Sequence, residues 1–197
     1  MSARKAARKR ATRETEIAVT LNLDGNGACR IETGIGFLNH MLELFARHAL
    51  IDLEVQASGD VHVDYHHTVE DVGLVLGACL NEALGERRGI RRYGFALLPM
   101  DEALCEVAVD LGGRPFLVFA SPMKHMRVRD FEVQLLEEFF RALTVEGRLN
   151  LHLRQIAGEE AHHVCEAFFK GVARALRMAV EPDPRETGIP SSKGMIA

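Results

Sequence analysis

The sequence predicts an α+β fold of two duplicated halves, each a small, mostly antiparallel sheet with helices on one face. The motif His-His-x-x-Glu occurs at residues 66–70 and again 96 residues later, about half the length of the 197-residue chain. A similar order of strand and helix patterns surrounds both copies of the motif. Hydrophobic residues make up 47% of the chain, which is ample for the core of one large domain or two small similar halves.

The first half is predicted from two hydrophobic patterns. Alternation of apolar and polar residues is typical of a strand with one buried face, and apolar residues three or four apart indicate a helix. Turn residues at 24–27 connect the first two strands, and Gly85 is a typical stop for the helix that begins at the first histidine pair. The predicted elements are strands at residues 16–22, 28–32 and 52–57 and helices at residues 37–48 and 66–84.

The second half is predicted in the same way and has one extra strand. Shifting the first-half helix 37–48 and strand 52–57 by 96 residues places both on matching elements. Either the two sheets or the two helical layers then face each other. The predicted elements are strands at residues 95–99, 104–110, 115–120 and 149–155 and helices at residues 131–145 and 162–180.

The first half spans residues 10–88 and the second half spans residues 89–182. We expect residues 1–9 to be a basic flexible tail, because they are rich in lysine and arginine and no apolar segment follows that would make a secretory signal. A nucleic-acid-binding arm is the alternative for this stretch. Pro182 and Pro184 follow the last helix, and residues 183–197 form a C-terminal tail.

Composition argues against several classes of protein. The net charge of −4 implies no overall attraction to nucleic acid. No apolar run approaches the roughly 20 residues of a membrane span. The four cysteines show no Cys-x-x-Cys spacing and lie in segments with apolar patterns, so we interpret them as reduced core residues of a cytoplasmic protein.

The repeated histidine motif predicts a metal centre. At the start of a helix, His66 and Glu70 lie on one face, whereas the adjacent His67 points about 100° away. One motif can therefore give two ligands to one ion and a third ligand to another. Two motifs, from two halves or two subunits, supply four imidazoles and two carboxylates, which suit Mn, Fe, Zn or Ni. The alternative, a solvated helix start, fits a single histidine pair better than a repeated one.

Several stretches resemble one known family, imidazoleglycerol-phosphate dehydratase. The resemblance extends over residues 12–195, and together its motifs are specific. The matching stretches are residues 12–17, 33–42, 64–71, 92–94, 100–103, 113–115, 162–170 and 190–194.

The resemblance implies a fold like domain 2 of ribosomal protein S5, repeated twice in the chain. It also implies a shell of 24 subunits, with active sites at subunit interfaces and two Mn(II) ions in each site. The implied reaction is the dehydration of D-erythro-imidazoleglycerol phosphate to imidazoleacetol phosphate in L-histidine biosynthesis, which makes the protein a hydro-lyase. No nucleic-acid or membrane partner is implied.

The metal ligands carried over from the family divide into two sets. One ion would take His40, His67, His162 and Glu166. The other would take His66, Glu70, Glu138 and His163, a division that agrees with the helix geometry of the two motifs. Some family members have histidine at position 138, where a carboxylate can also ligate Mn. Position 39 is often aspartate in the family, and the uncharged Asn39 cannot act as a carboxylate partner of His40.

The implied chemistry needs an electron sink and a proton carrier. The substrate has no carbonyl beside the carbon that loses its proton, so its imidazole ring must accept the charge, as an imidazolate intermediate held between two metal ions. Glu14, Glu70 and Glu166 are the expected catalytic residues, with Glu14 the candidate acid or base. The expected substrate contacts are Glu14, His40, His48, His66, Glu70, Arg92, Arg114, His162, Lys170, Ser192, Lys193 and Gly194.

Bland interpretations remain for individual substrate contacts. Guanidinium and ammonium groups suit phosphate, but taken singly each cation is more often a surface charge. His48 lies eight residues beyond His40 and either lines the same wall of the site or only packs in the core.

Two other functions also stay open. A dinuclear metallohydrolase would use the same ligand types, although no His-Glu-x-x-His motif occurs. A non-catalytic, metal-organised cage would assemble without chemistry.

Overall fold

The computed structural model describes residues 4–196. No described helix is both long and apolar enough to cross a membrane. The first half contains strands β1 (Lys5–Ala11), β2 (Thr15–Asn22), β3 (Cys29–Glu32) and β4 (Asp52–Gly59) and helices α1 (Gly36–Ala49) and α2 (His66–Leu84). The second half contains β5 (Tyr93–Met100), β6 (Ala103–Asp110), β7 (Phe116–Ala120), the short hairpin β8 (Arg127–Val128) and β9 (Phe131–Glu132), α3 (Leu135–Gly147), β10 (Asn150–Ala157) and α4 (Ala161–Val180).

The two main sheets have the same topology, which confirms the predicted α+β class and agrees with the predicted duplication. Their strand orders are β1-β2-β4-β3 and β5-β6-β10-β7. In each sheet the first two pairs are antiparallel and the last pair is parallel. The strands are therefore equivalent in the pairs β1/β5, β2/β6, β3/β7 and β4/β10, and positions next to them can be compared between the halves.

The predicted flexible tail is wrong from Lys5 onward, because these residues form β1. This strand pairs with β2 along its whole length, from Lys5 opposite Asn22 to Ala11 opposite Glu16. Ala6 is buried and the basic side chains are exposed, as is usual for an edge strand that is protected from further pairing by lysine and arginine. With β1 included, the strand predicted as extra in the second half has its counterpart in the first. Residues 1–3 of the predicted tail lie outside the described residues.

Three smaller predictions also differ from the structure. The turn at residues 24–27 does not close a hairpin, because β3 pairs in parallel with β4 rather than with β2. The helix predicted to begin at Phe131 begins at Leu135, because Phe131 and Glu132 pair with the preceding short strand β8. Cys29 is exposed on β3, whereas the other three cysteines are buried as expected.

The helices form a double layer between the two sheets. Helix α2 packs on β1 and β2 and contacts α3, while α4 packs on β5 and β6 and contacts α1. The two helical layers therefore face each other, which answers the question that the sequence left open. Buried apolar residues from both halves form one continuous core.

Glycines bring α2 and α3 unusually close together. A Cβ atom on Gly73 would lie 2.6 Å from the carbonyl oxygen of Phe139, and one on Gly77 would lie 2.6 Å from that of Leu143. These contacts advance along both helices in the same direction, so α2 and α3 are parallel. Helices α1 and α4 also start side by side, since the rings of Phe37 and His162 lie 5.3 Å apart. Each histidine motif thus begins beside the start of a helix from the other half.

Candidate metal centre

Three potential metal ligands converge where α1 and α4 start. We call His40, His162 and Glu166 the histidine-rich triad. The Nε2 atoms of His40 and His162 lie 2.9 and 3.1 Å from Oε1 of Glu166. All three ligand atoms lie within 4.8 Å of one another, and no other group of three such residues in the described part of the chain does so. Metal–nitrogen and metal–oxygen bonds are about 2.0–2.2 Å long, so small side-chain movements would close this donor set on one transition-metal ion.

Glu166 is charged although it is buried. Its exposed fraction is 7%, and burial by itself raises the pKa of the carboxyl group. Hydrogen bonds from Lys170, His40 and His162 outweigh burial and lower the pKa of Glu166 to about 2. Lys170 forms an ion pair with Glu166 one helical turn away, and its ammonium lies 3.4 Å from Sδ of Met100. The predicted substrate contact Lys170 therefore lies directly against the triad.

The second histidine of each pair points away from the first. The ring planes of His66 and His67 meet at 84° with centroids 6.2 Å apart, and those of His162 and His163 meet at 84° with centroids 6.3 Å apart. In the second half the two rings also have different carboxylate partners, Glu166 for His162 and Glu102 for His163, as the predicted divergence requires. Among the described residues, no hydrogen bond, ion pair or ring contact joins the first pair to the second.

Each divergent histidine is held through Nδ1 by a carboxylate. Asp60 Oδ2 lies 3.0 Å from Nδ1 of His67, and Glu102 Oε2 lies 2.7 Å from Nδ1 of His163. These hydrogen bonds raise the pKa of both imidazoles, and the bond from His163 lowers the pKa of Glu102 to about 2. We did not predict a role for either carboxylate. The only signal in the sequence was that Glu102 lies in one of the stretches that resemble the family.

Glu14 lies near His67 but does not hold it. It is the last residue before β2, its side chain is 57% exposed, and its Oε2 lies 3.9 Å from Nδ1 of His67. A carboxylate at this distance contributes charge without forming a hydrogen bond. Glu14 is therefore free to meet a ligand that approaches His67.

The second predicted metal set is only partly assembled. We call Glu138, His66 and Glu70 the carboxylate-rich triad, because two of the three are acidic. They lie at the adjacent starts of α3 and α2, as the histidine-rich triad does on α1 and α4. Oε2 of Glu138 lies 3.7 Å from Nε of Arg141, and the side chain of Glu70 has no hydrogen bond or ion pair in the part of the chain that the structure describes. The donor atoms of this triad do not converge as those of the first triad do.

A cavity of about 270 Å³ opens beside His66. It is bordered by the loop before α2 and by the β8–β9 hairpin, and a hydrogen bond of 2.8 Å from the Tyr65 hydroxyl to Asp130 joins the two. The lining residues are Val61, Asp64, Tyr65, His66, Asp130, Glu132, Gln134 and Leu135. The carboxylate-rich triad therefore meets this open space through His66.

Arg92 is held at the C-terminal segment. Its Nε and NH2 donate to the carboxylate of Asp110 at 2.7 and 3.1 Å, and NH1 donates to the Pro190 carbonyl at 2.8 Å. The hydrogen bond to Asp110 raises the pKa of Arg92. Ser192, Lys193 and Gly194 follow close behind Pro190 and are exposed. Arg92 therefore links the second sheet to the segment that contains these predicted contacts.

The remaining predicted residues lie in different places. Arg114 is exposed before β7. His48 is half-buried near the C-terminal end of α1, and burial lowers its pKa, as do the charges of Lys170, Arg174 and Arg47. Asn39 accepts hydrogen bonds from the backbone and hydroxyl of Thr33, at 3.0 and 2.6 Å, so it stabilises the turn before α1.

The chain is similar to known proteins over almost its whole length. Residues 33–176 match the sequence profile of the family "Imidazoleglycerol-phosphate dehydratase". A protein of that name from Acidiphilium cryptum is 59% identical over 194 residues, which cover 98% of this chain and 99% of the relative.

Two solved structures have the same fold. The imidazoleglycerol-phosphate dehydratase of Staphylococcus aureus superposes with a TM-score of 0.83 and 38% identity, covering 91% of this chain and 99% of that chain. The enzyme of Pyrococcus furiosus in complex with (S)-C348 superposes with a TM-score of 0.83 and 37% identity, covering 95% and 99%. The profile match and the identity over almost the whole chain, together with the shared fold, mean that this chain belongs to the imidazoleglycerol-phosphate dehydratase family.

Proposed function

We propose that this protein is a metal-dependent hydro-lyase that converts D-erythro-imidazoleglycerol phosphate to imidazoleacetol phosphate in L-histidine biosynthesis. Membership of the family supports the reaction. The structural observation that carries the proposal is the histidine-rich triad, in which two imidazoles and one charged carboxylate meet at one point. Mixed nitrogen and oxygen donors of this kind suit Mn(II) and related transition metals. We place the reaction in the cytoplasm.

Two ions for each active site fit the donors present. One would be held by the histidine-rich triad with His67, and the other by the carboxylate-rich triad with His163. When bound, such ions act as Lewis acids toward the imidazole nitrogens and the leaving hydroxyl of the substrate. The second donor set is the more open of the two. It contains Glu138, at a position where some family members have histidine.

The divergent histidines support an assembly in which neighbouring subunits complete each site. His67 and His163 are turned away from their own motif partners and held there by carboxylates. Neither joins a group of three potential ligands within the described chain. A closed symmetric oligomer would bring each divergent histidine to a triad of another copy, and we propose the shell of 24 subunits that the resemblance implies.

The protein groups would then divide the remaining work. Glu14 takes the proton from the carbon beside the hydroxyl, because its carboxylate is exposed and lies next to His67. The imidazole ring would lose its N–H proton and expel the hydroxyl from the carbon attached to it, so that the two leave as water. The electrons of the broken C–H bond then return to the ring, Glu14 returns the proton to the ring nitrogen, and the resulting enol tautomerises to the ketone. Arg92, Arg114 and Lys170, together with Ser192, Lys193 and Gly194, have the charges and hydrogen-bond donors that bind phosphate. We also assign His48 to the substrate contacts, since the charges of both Lys170 and Glu166 act on its imidazole.

Product analysis tests the proposal. The purified protein, loaded with Mn(II), is incubated with D-erythro-imidazoleglycerol phosphate and the products are identified by mass spectrometry. We expect a phosphorylated product lighter by one water molecule and no inorganic phosphate. Release of inorganic phosphate would favour a metallohydrolase instead. An assembled protein with bound metal and no turnover under any divalent ion would favour a non-catalytic cage.

A further inference from the structure

The divergent histidines His67 and His163 are held by carboxylates that occupy different places in the two halves. Asp60, which holds His67, is the residue directly after β4. Glu102, which holds His163, is the residue directly before β6. Because β4 is equivalent to β10 and β2 to β6, the duplication alone would have placed both carboxylates at the same position. The two halves therefore hold their divergent histidines with carboxylates from positions that are not equivalent.

The position equivalent to Glu102 in the first half is Glu14, directly before β2. Glu102 lies 2.7 Å from Nδ1 of its histidine, whereas Glu14 lies 3.9 Å from Nδ1 of His67, beyond hydrogen-bond distance. Asp60 already occupies that nitrogen at 3.0 Å. Among the described residues, the carboxylate of Glu14 consequently has only this longer ion-pair contact with His67 and no hydrogen bond.

The position equivalent to Asp60 in the second half is Gly158, directly after β10. Gly158 has a φ of +115°, and a Cβ atom there would lie 2.7 Å from Cα of Ala103. A side chain at this position is therefore excluded both by backbone conformation and by space. Of these two equivalent positions, only the one before β6, Glu102, can supply a carboxylate to His163.

We propose that Asp60 is a positioning residue which holds Nδ1 of His67, presents Nε2 as the free ligand atom, and thereby leaves Glu14 available for proton transfer. Glu102 likewise holds Nδ1 of His163 and is for that reason unavailable for chemistry. Nε2 of His163 lies 3.7 Å from Oδ2 of the exposed Asp101, beyond hydrogen-bond distance, and so stays available to a metal ion. Carboxylates in this position fix the tautomer and orientation of a ligating histidine and typically change metal affinity 10–100-fold. The inference rests on the proposed function, since it assumes that both imidazoles ligate metal and that Glu14 moves the proton.

Metal titration of the full-length assembled protein tests the inference without relying on activity. Wild type, Asp60→Asn, Glu102→Gln and the control Glu54→Gln are stripped with a chelator and titrated with Mn(II), and the free ion is followed by electron paramagnetic resonance. Glu54 is an exposed carboxylate on β4, away from both histidines. We expect Asp60→Asn and Glu102→Gln each to weaken half of the sites by about 10–100-fold, and Glu54→Gln to leave the titration unchanged.

Turnover at saturating Mn(II) separates the two roles. We expect Glu102→Gln to recover most of its kcat, whereas Asp60→Asn stays at least about tenfold slower because Glu14 is drawn onto His67. A titration of Asp60→Asn that overlays that of wild type would overturn the inference. If Asp60→Asn does not fold, an unchanged titration of Glu102→Gln overturns it instead. A wild type that binds two ions per site without dehydrating the substrate contradicts the proposed function and leaves the metal-affinity test intact.

Discussion

The two triads occupy equivalent places in a duplicated fold and differ in state. In the histidine-rich triad, His40 and His162 hydrogen-bond to a single buried carboxylate, and Lys170 balances its charge. The carboxylate-rich triad has two acidic residues, Glu70 and Glu138, its donor atoms do not converge, and its histidine, His66, lines an open cavity. One triad can close through its own hydrogen bonds. The other joins two like charges and needs a cation before it can close.

The residue one turn beyond the glutamate shows the same difference. Lys170 lies four residues after Glu166, whereas Leu74 lies four residues after Glu70. The lysine supplies a positive charge at one triad, and nothing in the equivalent position supplies one at the other. Duplication therefore preserved the positions of the donors while their chemistry diverged. The difference predicts that the two ions are held with unequal affinity. The histidine-rich triad should bind its ion more tightly and depend less on added metal.

The largest effect is expected from Glu166→Gln. This change removes the only carboxylate of the histidine-rich triad and leaves Lys170 without its buried partner. Loss of a Lewis acid worth several kcal/mol corresponds to a fall in kcat of about 10⁴-fold. Steady-state kinetics and metal analysis of the same sample measure it. The kcat of Glu70→Gln should fall by a comparable factor but recover partly at high Mn(II). Wild-type turnover by metal-free Glu166→Gln would contradict the proposed role of the triad.

Glu14→Gln is expected to lower kcat by about 10²–10³-fold, because a general acid or base contributes about this much. Metal content and the unfolding temperature should stay at wild-type values, since the Glu14 side chain is exposed and does not hold His67. This combination distinguishes Glu14 from Glu166. Loss of bound metal in Glu14→Gln would instead make Glu14 a ligand or a ligand support.

Glu138→His makes the donor types of the two triads alike. We expect activity to persist within about tenfold, with the preference of the second site moving from Mn(II) toward Co(II) and Zn(II), which imidazole favours more strongly. Competition between metals, followed by metal analysis of the protein, measures the shift. An unchanged metal preference would indicate that residue 138 does not reach the ion.

Gly77→Ala tests the close packing that brings α2 beside α3. The added Cβ would lie 2.6 Å from the carbonyl oxygen of Leu143 and 2.9 Å from the backbone nitrogen of Gly147, so a helix must move. We expect a loss of about 1–3 kcal/mol in the free energy of unfolding, as for other overpacked sites. Gly36→Ala is the control, because no atom lies within 4 Å of a Cβ placed there. Equal unfolding temperatures for the two variants would contradict the packing argument.

The smallest effect concerns the first residue of β4 and of β10. Asp52 accepts hydrogen bonds from the Asn26 backbone and the Asn22 side chain, both at 2.9 Å, whereas the equivalent Asn150 donates to the Arg114 carbonyl. The bond from the Asn26 backbone is the main cause that lowers the pKa of Asp52. Its stabilising contribution is therefore present above the unfolded pKa of about 3.9 and is lost as the pH falls through the folded pKa.

We expect Asp52→Asn to cost about 0.5–1.5 kcal/mol at pH 7 and progressively less below pH 4, where wild type loses the same contribution. Thermal unfolding at fixed protein concentration over this pH range measures the difference. A constant difference between the two proteins at every pH would show that the charge of Asp52 is not responsible.

The local hydrophobic pattern was sufficient to predict most helices and strands and the divergence of each histidine pair. A period of two residues or of 3.6 residues reports which face of one element is buried, so β2, β4 and all four helices could be predicted. The same helical period predicted that His67 points away from His66 and Glu70. It was not sufficient for β1, because an exposed edge strand carries the composition of a basic tail.

By itself, the sequence determined the duplication, the α+β class, the two motifs and the family. Tertiary structure alone decided that α1 starts beside α4, which brings His40 to Glu166 across 126 residues of chain. It also decided that Asp60 and Glu102 hold the divergent histidines from unlike positions. The physical reason is that hydrogen bonds between remote residues depend on how the layers pack, and no period along the chain records that packing.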